Sequence, residues 1–499
     1  MKLNVKRTIL VGFAFLMISM FWQVYDNLVV KMLVDSFGLN QTMSGFVMAI
    51  DNILAIFLLP LFGLWSDKTM TKFGKRTPYI FIGTIIAALL ITGVSIFDFY
   101  QQQAVMQNGI SGVTSFLNNG VTNYAYSIDG VVAFTAEKMD VVSAHRAQTI
   151  LNSITLQDPT MFIFFVVILF FVLFAMAAFR TPAVSLMPDV TPKPLRSKAN
   201  ALINLMGVVG GVISLLSMTF TANENSALFD RFGYIPAMLL LAILMIVMLI
   251  VFMTTVKENK WVDEMEKFSI EHKLTTREEI EQDKAATSHK LPKDVQRSLI
   301  LILTSVVLWF MAYNAATTKY SIYVTNTLGQ SNFTLPLMVA NVTAAISFIP
   351  IGILATKFGR RKTILVGIGI LTLALLIGIV VTPETSFLMF ATMGLAGVGW
   401  ATINVNSYPM VVEMSKGSNV GVYTGYYYTA SMAAQIVTPI LSGLLMDLFI
   451  QYVPTFGTRI LFVYSAVFSV LAFIPMFFVK HGEPKLLEGE KVELHIDND

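Results

Sequence analysis

The feature that most constrains this chain is an apolar run long enough to cross a bilayer, repeated twelve times. A bilayer's hydrocarbon core is about 30 Å thick and takes about 20 helical residues to cross. Lipid offers the backbone no hydrogen-bonding partner, so a crossing segment is a helix or part of a closed barrel. Barrel strands alternate apolar and polar residues over roughly ten positions, and these runs do not. The spacing predicts helices over 8–34, 43–65, 78–97, 160–180, 199–221 and 234–256, then over 298–325, 334–356, 363–382, 387–409, 419–446 and 458–479. Composition agrees: 55% of the 499 residues are hydrophobic and 13% are charged, where soluble domains carry about a quarter charged.

The order is six helices, a mixed-charge hydrophilic stretch and six more. The expected architecture is therefore all-α and integral to the membrane, with 12 transmembrane helices in two six-helix bundles. The N-terminal bundle covers 1–256, a linker 257–297, the C-terminal bundle 298–479 and a tail 480–499. Lys2, Lys6 and Arg7 precede the first apolar run as in a signal peptide, but no small-residue cleavage site follows and the run continues to about Val34, so it reads as the first span. Lys and Arg concentrate on the side that retains them during insertion. Placing both termini and the linker in the cytoplasm puts 28 of the 34 basic residues there. The segment 98–158, between spans three and four, is then external. Rich in Asn, Gln, Ser and Gly, it reads as a tolerated surface insertion or as a hairpin or small lid.

Several function classes drop out. With no cysteine there is no thiolate chemistry, disulfide or cysteine-held metal, and the five histidines show no HExxH or HxxxH spacing. Net charge is +3 with basic residues scattered, which gives no case for nucleic acid. No G-x-x-x-x-G-K-[ST] loop is present to cradle a nucleotide. No cofactor, metal or enzymatic activity is expected.

At the end of span two stand Gly63, Asp67 and Lys68, then Phe73-Gly74-Lys75-Arg76-Thr77-Pro78. The equivalent place in the second half carries Gly352, Thr356-Lys357-Phe358-Gly359-Arg360-Arg361. A glycine lets helices approach, and a short basic loop re-enters the membrane. The recurrence in both halves argues against a chance charged turn. This paired loop resembles the signature of the major facilitator superfamily. The longer first copy, with Asp67-Lys-Thr-Met-Thr-Lys-Phe73, is similar to the glycoside–pentoside–hexuronide:cation symporters and sucrose transporters in particular. Pro182…Leu186-Met-Pro-Asp189, followed by Arg196-Ser-Lys-Ala-Asn200-Ala, resembles the sucrose-transporter loop between spans four and five. The span-seven run Leu308-Trp309-Phe310-Met311-Ala312-Tyr313-Asn314 resembles bacterial members. Sucrose transporters of plants usually carry an arginine where Val184 stands; here the nearest is Arg180, one turn earlier. The second loop has Thr356 in place of an acid. The resemblance implies a symporter whose two bundles rock about a central site.

Ionisable groups inside spans cost about 2.5–3.5 kcal/mol on insertion scales, so each is a functional candidate. Asp26 in span one, Asp51 in span two and Lys319 in span seven qualify. At 1.5 Å per residue both aspartates lie about 12 Å deep on adjacent helices, as a proton-coupling pair would. The alternative is a structural ion pair, with Lys319 as partner or reaching outward to water. Trp22, Gln23, Asp26 and Asn27 share a broad helix face. An aromatic ring beside amides suits a sugar, whose C–H face stacks while its hydroxyls bond. Trp309, Tyr313, Asn314 and Tyr320 repeat this in span seven, where Lys319 is also a candidate substrate contact, and Trp400 with Asn404 does so in span ten. Tyr423, Tyr427 and Tyr428 in span eleven are weaker members, and each stripe alone also fits ordinary packing or an interfacial belt.

The expected function is a cation-coupled symporter of a glycoside such as sucrose or maltose, driven by protons or alternatively by sodium. It would act as a monomer in the plasma membrane, with lipid and a small sugar as partners. The competing possibilities are a proton-coupled exporter of amphipathic solutes and a non-transporting sensor.

Overall fold

The computed structural model describes residues 3–192, 196–224, 226–271, 292–330, 332–412, 414 and 420–482. The linker from 272 to 291 and the tail from 483 lie outside these residues. Span one is α1, Val5–Val24, continued by two π-helical stretches, Tyr25–Val29 and Met32–Ser36. It is followed by α2 Gln41–Lys68 and α3 Thr77–Gln107. The insert holds β1 Thr114–Asn118, β2 Val121–Ile128, β3 Val131–Ala136 and α4 Met139–Ile150. The first half ends with α5 Thr160–Asp189, α6 Arg196–Thr221, the short α7 Ala227–Phe232 and α8 Ile235–Thr255. Helix α9, Glu258–Glu271, begins the linker. The second half holds α10 Lys293–Thr318, α11 Tyr320–Asn326, α12 Thr334–Phe358, α13 Arg360–Val380, α14 Leu388–Val412, α15 Val420–Tyr452 and α16 Ile460–Phe478.

Eleven spans among the described residues are long and apolar enough to cross a bilayer, and α12 contributes a further apolar stretch over Thr334–Phe348. In the first bundle α1 packs on α6 and α3 on α5; in the second, α14 packs on α12 and α13, and α10 on α16. The bundles meet along α2 with α15 and along α6 with α12. One end of the molecule carries the insert and the other the paired basic loops; they are the insert end and the loop end.

Two spans depart from simple helices. Span one widens to π-helix around Asp26, a form common at functional sites. Span seven breaks at Lys319, between α10 and α11. The cause is local: Thr317 and Thr318 donate their hydroxyls back to the carbonyls of Tyr313 (3.1 Å) and Asn314 (2.7 Å), a pattern that bends helices.

The insert is folded. Helix α3 runs on to Gln107, so the start of the insert extends span three. β1, β2 and β3 then form an antiparallel meander. Its two-residue turns, Asn119-Gly120 and Asp129-Gly130, all have positive φ, the backbone that matches the twist of a hairpin. Val105, Ile110, Tyr126, Val142, Ile150 and Ile154 make a small core beneath it. Helix α4 touches both bundles. Arg146 donates to the carbonyl of Asp35 (3.2 Å), and Asp140 accepts from the backbone N–H of Thr458 (3.0 Å). Burial raises the Asp140 carboxyl above its ordinary value, against the pull of the Thr458 and Val141 N–H groups.

Candidate functional site at the bundle interface

Asp26 and Asp51 lie close enough to interact electrostatically. Each carboxylate interacts electrostatically with the guanidinium of Arg180 on α5, and Asp26 also feels Asp51. Arg180 lies over the ring of Trp22 at 5.7 Å and interacts with Tyr428 of the second bundle. Trp22, Asp51, Ala55, Leu59, Leu173, Ala177 and Arg180 line a cavity of about 10 Å³. That volume is at the lower bound for one water and far too small for a sugar ring. The charged partner of the aspartates is thus Arg180. Lys319, expected as partner or as a group reaching outward to water, is fully buried elsewhere.

Sequence alone does not mark Arg180 as part of the site, because it reads as the start of the basic loop after span four. Helix α5 continues through Pro182 and Pro188 to Asp189, which places Arg180 well inside it. A signal was available: a lone arginine between Phe179 and Thr181, ahead of a proline that a helix can absorb in a membrane.

The other expected sugar contacts divide. Gln23 and Asn341 each bring a side-chain oxygen within 3.6 Å of where a Cβ on Gly211 would stand, so α1, α6 and α12 converge there. Asn341 carries no motif or charge that would single it out in the sequence. Tyr313 stacks on Trp400 with ring centroids 5.9 Å apart, and Phe348 meets Trp400 edge-on. Asn404 accepts from the Tyr427 hydroxyl at 3.4 Å. Asn314 Nδ2 and Trp22 Nε1 are buried with no hydrogen-bond partner, which is costly unless a ligand or water meets them. Asn27 instead turns back, donating to the carbonyl of Gln23 at 2.8 Å. The widened helix changes the shared face expected from regular four-residue spacing. Trp309 stacks on Phe310 within the helix core, and Tyr320 is fully buried.

Around the first basic loop, the expected residues come together. Arg76 bonds Asp67 and Ser66 of α2 and, at 2.9 Å, Asp189 at the end of α5. The start of α3 has no cap of its own; Glu258 of α9 supplies one, accepting from the N–H groups of Lys75 (2.7 Å), Arg76 (2.9 Å) and Thr77 (2.8 Å). Gly74 has φ 122°, and a Cβ there would run into Glu258. Gly63 lies beside Thr181, while Lys68 and Asn200 are exposed. Arg196 opens α6, and its side chain is outside the described set. The second loop is built otherwise. Gly359 turns with φ 92°, Gly352 faces open space, and Arg361 bonds the Phe477 carbonyl and lies over its ring. Arg360 begins α13.

The insert end holds further ionisable groups in or beside the spans. Lys31, fully buried, pairs with Glu224 (2.9 Å) and Asp35 (3.3 Å) and reaches Thr325 of the second bundle (3.0 Å). Asp98 is buried nearby, bonded to Gln102 at 2.8 Å. In the sequence these four charges read as the ends of spans, where charge is ordinary.

A family model for the Major Facilitator Superfamily matches residues 147–348 and 320–495. The chain belongs to the major facilitator superfamily. As a member it is a multi-pass membrane transporter and not an enzyme. A second model of that superfamily, MFS/sugar transport protein, matches residues 10–118. The Arabidopsis thaliana sucrose transport protein SUC3 is 33% identical over 64 residues, 12% of this chain and 11% of that protein, so the match spans only a small part of either. Among solved structures, the inward open form of the xylose transporter XylE from E. coli aligns with TM-score 0.63 at 12% identity, covering 96% of each chain. A mutant form of the nucleoside transporter NupG aligns with TM-score 0.59 at 13% identity, covering 95% of this chain and 99% of that one. These likenesses establish the two-bundle fold.

Proposed function

We propose that this chain is a proton-coupled symporter that brings a glycoside such as sucrose or maltose across the cell membrane, with both termini cytoplasmic. The observation that carries the proposal is the cluster of Asp26, Asp51 and Arg180 beside Trp22. Two carboxylates and one guanidinium sum to one negative charge, and one proton makes the group neutral. A neutral group is far cheaper to enclose in an apolar interior than a charged one, so protonation favours the occluded state that carries substrate across. Asp26 is the proton carrier, Asp51 shares the site, and Arg180 ties the charge state to Tyr428 on the opposite bundle. The stacked Tyr313 and Trp400, with Gln23, Asn341, Asn314 and Asn404, supply an aromatic face and amides for a sugar. The sugar-transport family model over spans one to three and the stretch similar to a sucrose transport protein favour a sugar over other solutes. The coupling ion is a proton, because a carboxylate–guanidinium site with room for one water lacks the oxygen cage that sodium would need. The working unit is a monomer.

The test is uptake of labelled maltose and sucrose into proteoliposomes under an imposed inward proton gradient, beside Asp26→Asn. Accumulation that an ionophore abolishes, with only sugar exchange left in Asp26→Asn, is the expected outcome. A variant that still accumulates sugar against its gradient would remove the coupling role from Asp26. No uptake of either sugar would end the glycoside assignment.

A further inference from the structure

Two opposite charges at the insert end, Lys319 and Asp447, are each bonded to the other bundle. Lys319 stands at the break between α10 and α11 and is fully buried. Its ammonium donates to the Gln41 carbonyl (2.9 Å), Gln41 Oε1 (3.2 Å) and Ser44 Oγ (2.8 Å) at the start of α2. Asp447, on α15, accepts from the N–H groups of Gln41 (2.9 Å) and Thr42 (2.8 Å) and from the Thr42 hydroxyl (2.6 Å). All six partners lie on the first bundle and both charges on the second. The two charges flank a single residue: Asp447 takes the N–H of Gln41 and Lys319 takes its carbonyl. They also interact electrostatically across it.

Alternating access requires the bundles to part at this end. Withdrawing α2 strips all six bonds at once and leaves a bare ammonium and a bare carboxylate. Unpaired charges in a closing or narrowly open cleft are heavily penalised, and the nearest compensation for each is the other, once Gln41 no longer separates them. We propose that Lys319 and Asp447 form a two-position switch, bonded to α2 when the insert end is shut and paired with each other when it is open. The switch gives each charge a partner in both states, so neither charge is left bare as the end opens. It assigns Lys319 to the gate and not to the sugar. The proposal rests on alternating access by this fold and needs no particular substrate.

The chain has no cysteine, so a cysteine pair reports without background. Gln157 and Gln451 are exposed at the insert end, one on each bundle. Spin labels there, read by double electron–electron resonance on the full-length protein in nanodiscs, report opening without any sugar. In the exchanged variant Lys319→Asp with Asp447→Lys, the mutual pair survives, but a lysine now faces the α2 N–H groups and an aspartate faces its carbonyl. The longer distance should become the majority population. In Lys319→Gln with Asp447→Asn, the amides can keep the bonds to α2 but form no ion pair, and the longer distance should fall below the wild-type share. A merely structural ion pair predicts a wild-type distribution for the exchange. That result, or a longer-distance share that rises in the amide variant, overturns the switch. Should the exchanged variant fail to fold, the amide variant decides alone. Because the readout involves no sugar, loss of the glycoside assignment would leave its outcome intact.

Discussion

The two ends of the bundle interface are held by opposite strategies. At the insert end the bonds cross between bundles: Lys319 and Asp447 to α2, Lys31 to Thr325, Ser321 to the Asn27 carbonyl, and Thr219 to Thr334. Helix α4 adds a strap between the halves. At the loop end the contacts described for Arg76 and for the Arg361 guanidinium on the Phe477 carbonyl lie within a bundle. Arg76 ties α2 to α5 and the α3 start, and Arg361 ties the start of α13 to the end of α16. The first kind of contact must break for the shut end to open. The second kind makes each bundle rigid enough to move as a body. Damage to the first should therefore redistribute states, and damage to the second should soften a bundle.

The largest effect is expected where the bundles touch backbone to backbone. Gly45 of α2 lies against the backbone of Pro439 and Ile440, and Gly443 of α15 against that of Gln41 and Thr42. A side chain at either place meets main chain that cannot swing aside. Overpacking costs about 1–3 kcal/mol, and every 1.4 kcal/mol is about tenfold in a population. Gly443→Leu should shift the insert end toward open at least about fivefold and reduce transport by a similar factor. The Gln157–Gln451 distance distribution and substrate uptake check it. A shut distribution in Gly443→Leu would mean that this crossing is not what closes the end.

How much of this was legible in the sequence follows from what each signal depends on. Span number, the paired loops and the matching depth of Asp26 and Asp51 are readable because hydropathy, short-range motif spacing and helix rise are local; whether the two aspartates meet is not. The insert's Asn-Gly and Asp-Gly turns are equally local, but composition alone leaves it open between a tolerated insertion and a hairpin or small lid. Arg180 was lost at a boundary, since a helix that carries two prolines looked finished before them. Lys319 was visible as a charge but not as a gate, because its partners are the backbone and amide of a residue 278 positions away. The α3 cap on Glu258 was equally hidden: it comes from the linker, 181 to 183 positions on. The π-helical turn around Asp26 displaced Asn27 from the face that regular periodicity assigns it.

A moderate effect is expected from Arg76→Gln. Arg76 is almost fully buried, while Asp67 is more than half exposed and Asp189 about a third. Removing one partner of a buried pair costs about 3–5 kcal/mol, and water around Asp67 reduces this to roughly 1–2 kcal/mol, near the upper range for exposed pairs. The variant should unfold at lower temperature in detergent and transport more slowly, with the insert-end distances of wild type. If those distances change, the loop-end network controls the gate as well as the bundle, and the contrast between the two ends fails.

The smallest effect belongs to Arg361→Gln, the matching position in the second loop. Its contacts include one carbonyl and one half-exposed ring at 5.6 Å. A hydrogen bond from a charged group is worth about 1.5–3 kcal/mol and an exposed cation–π contact about 0.5–1 kcal/mol, and water at this exposed position replaces much of both. The second copy has Thr356 where the first has an acid, Asp67. Thermal unfolding should therefore shift less than in Arg76→Gln, and uptake should stay within about twofold of wild type, a difference of roughly 0.4 kcal/mol. Equal losses in the two variants would mean that the loops stiffen their bundles to the same degree despite different partners. The repeat would then be functional in both halves, and the acid missing from the second copy would be replaced by the α16 terminus, whose last carbonyls attract a cation.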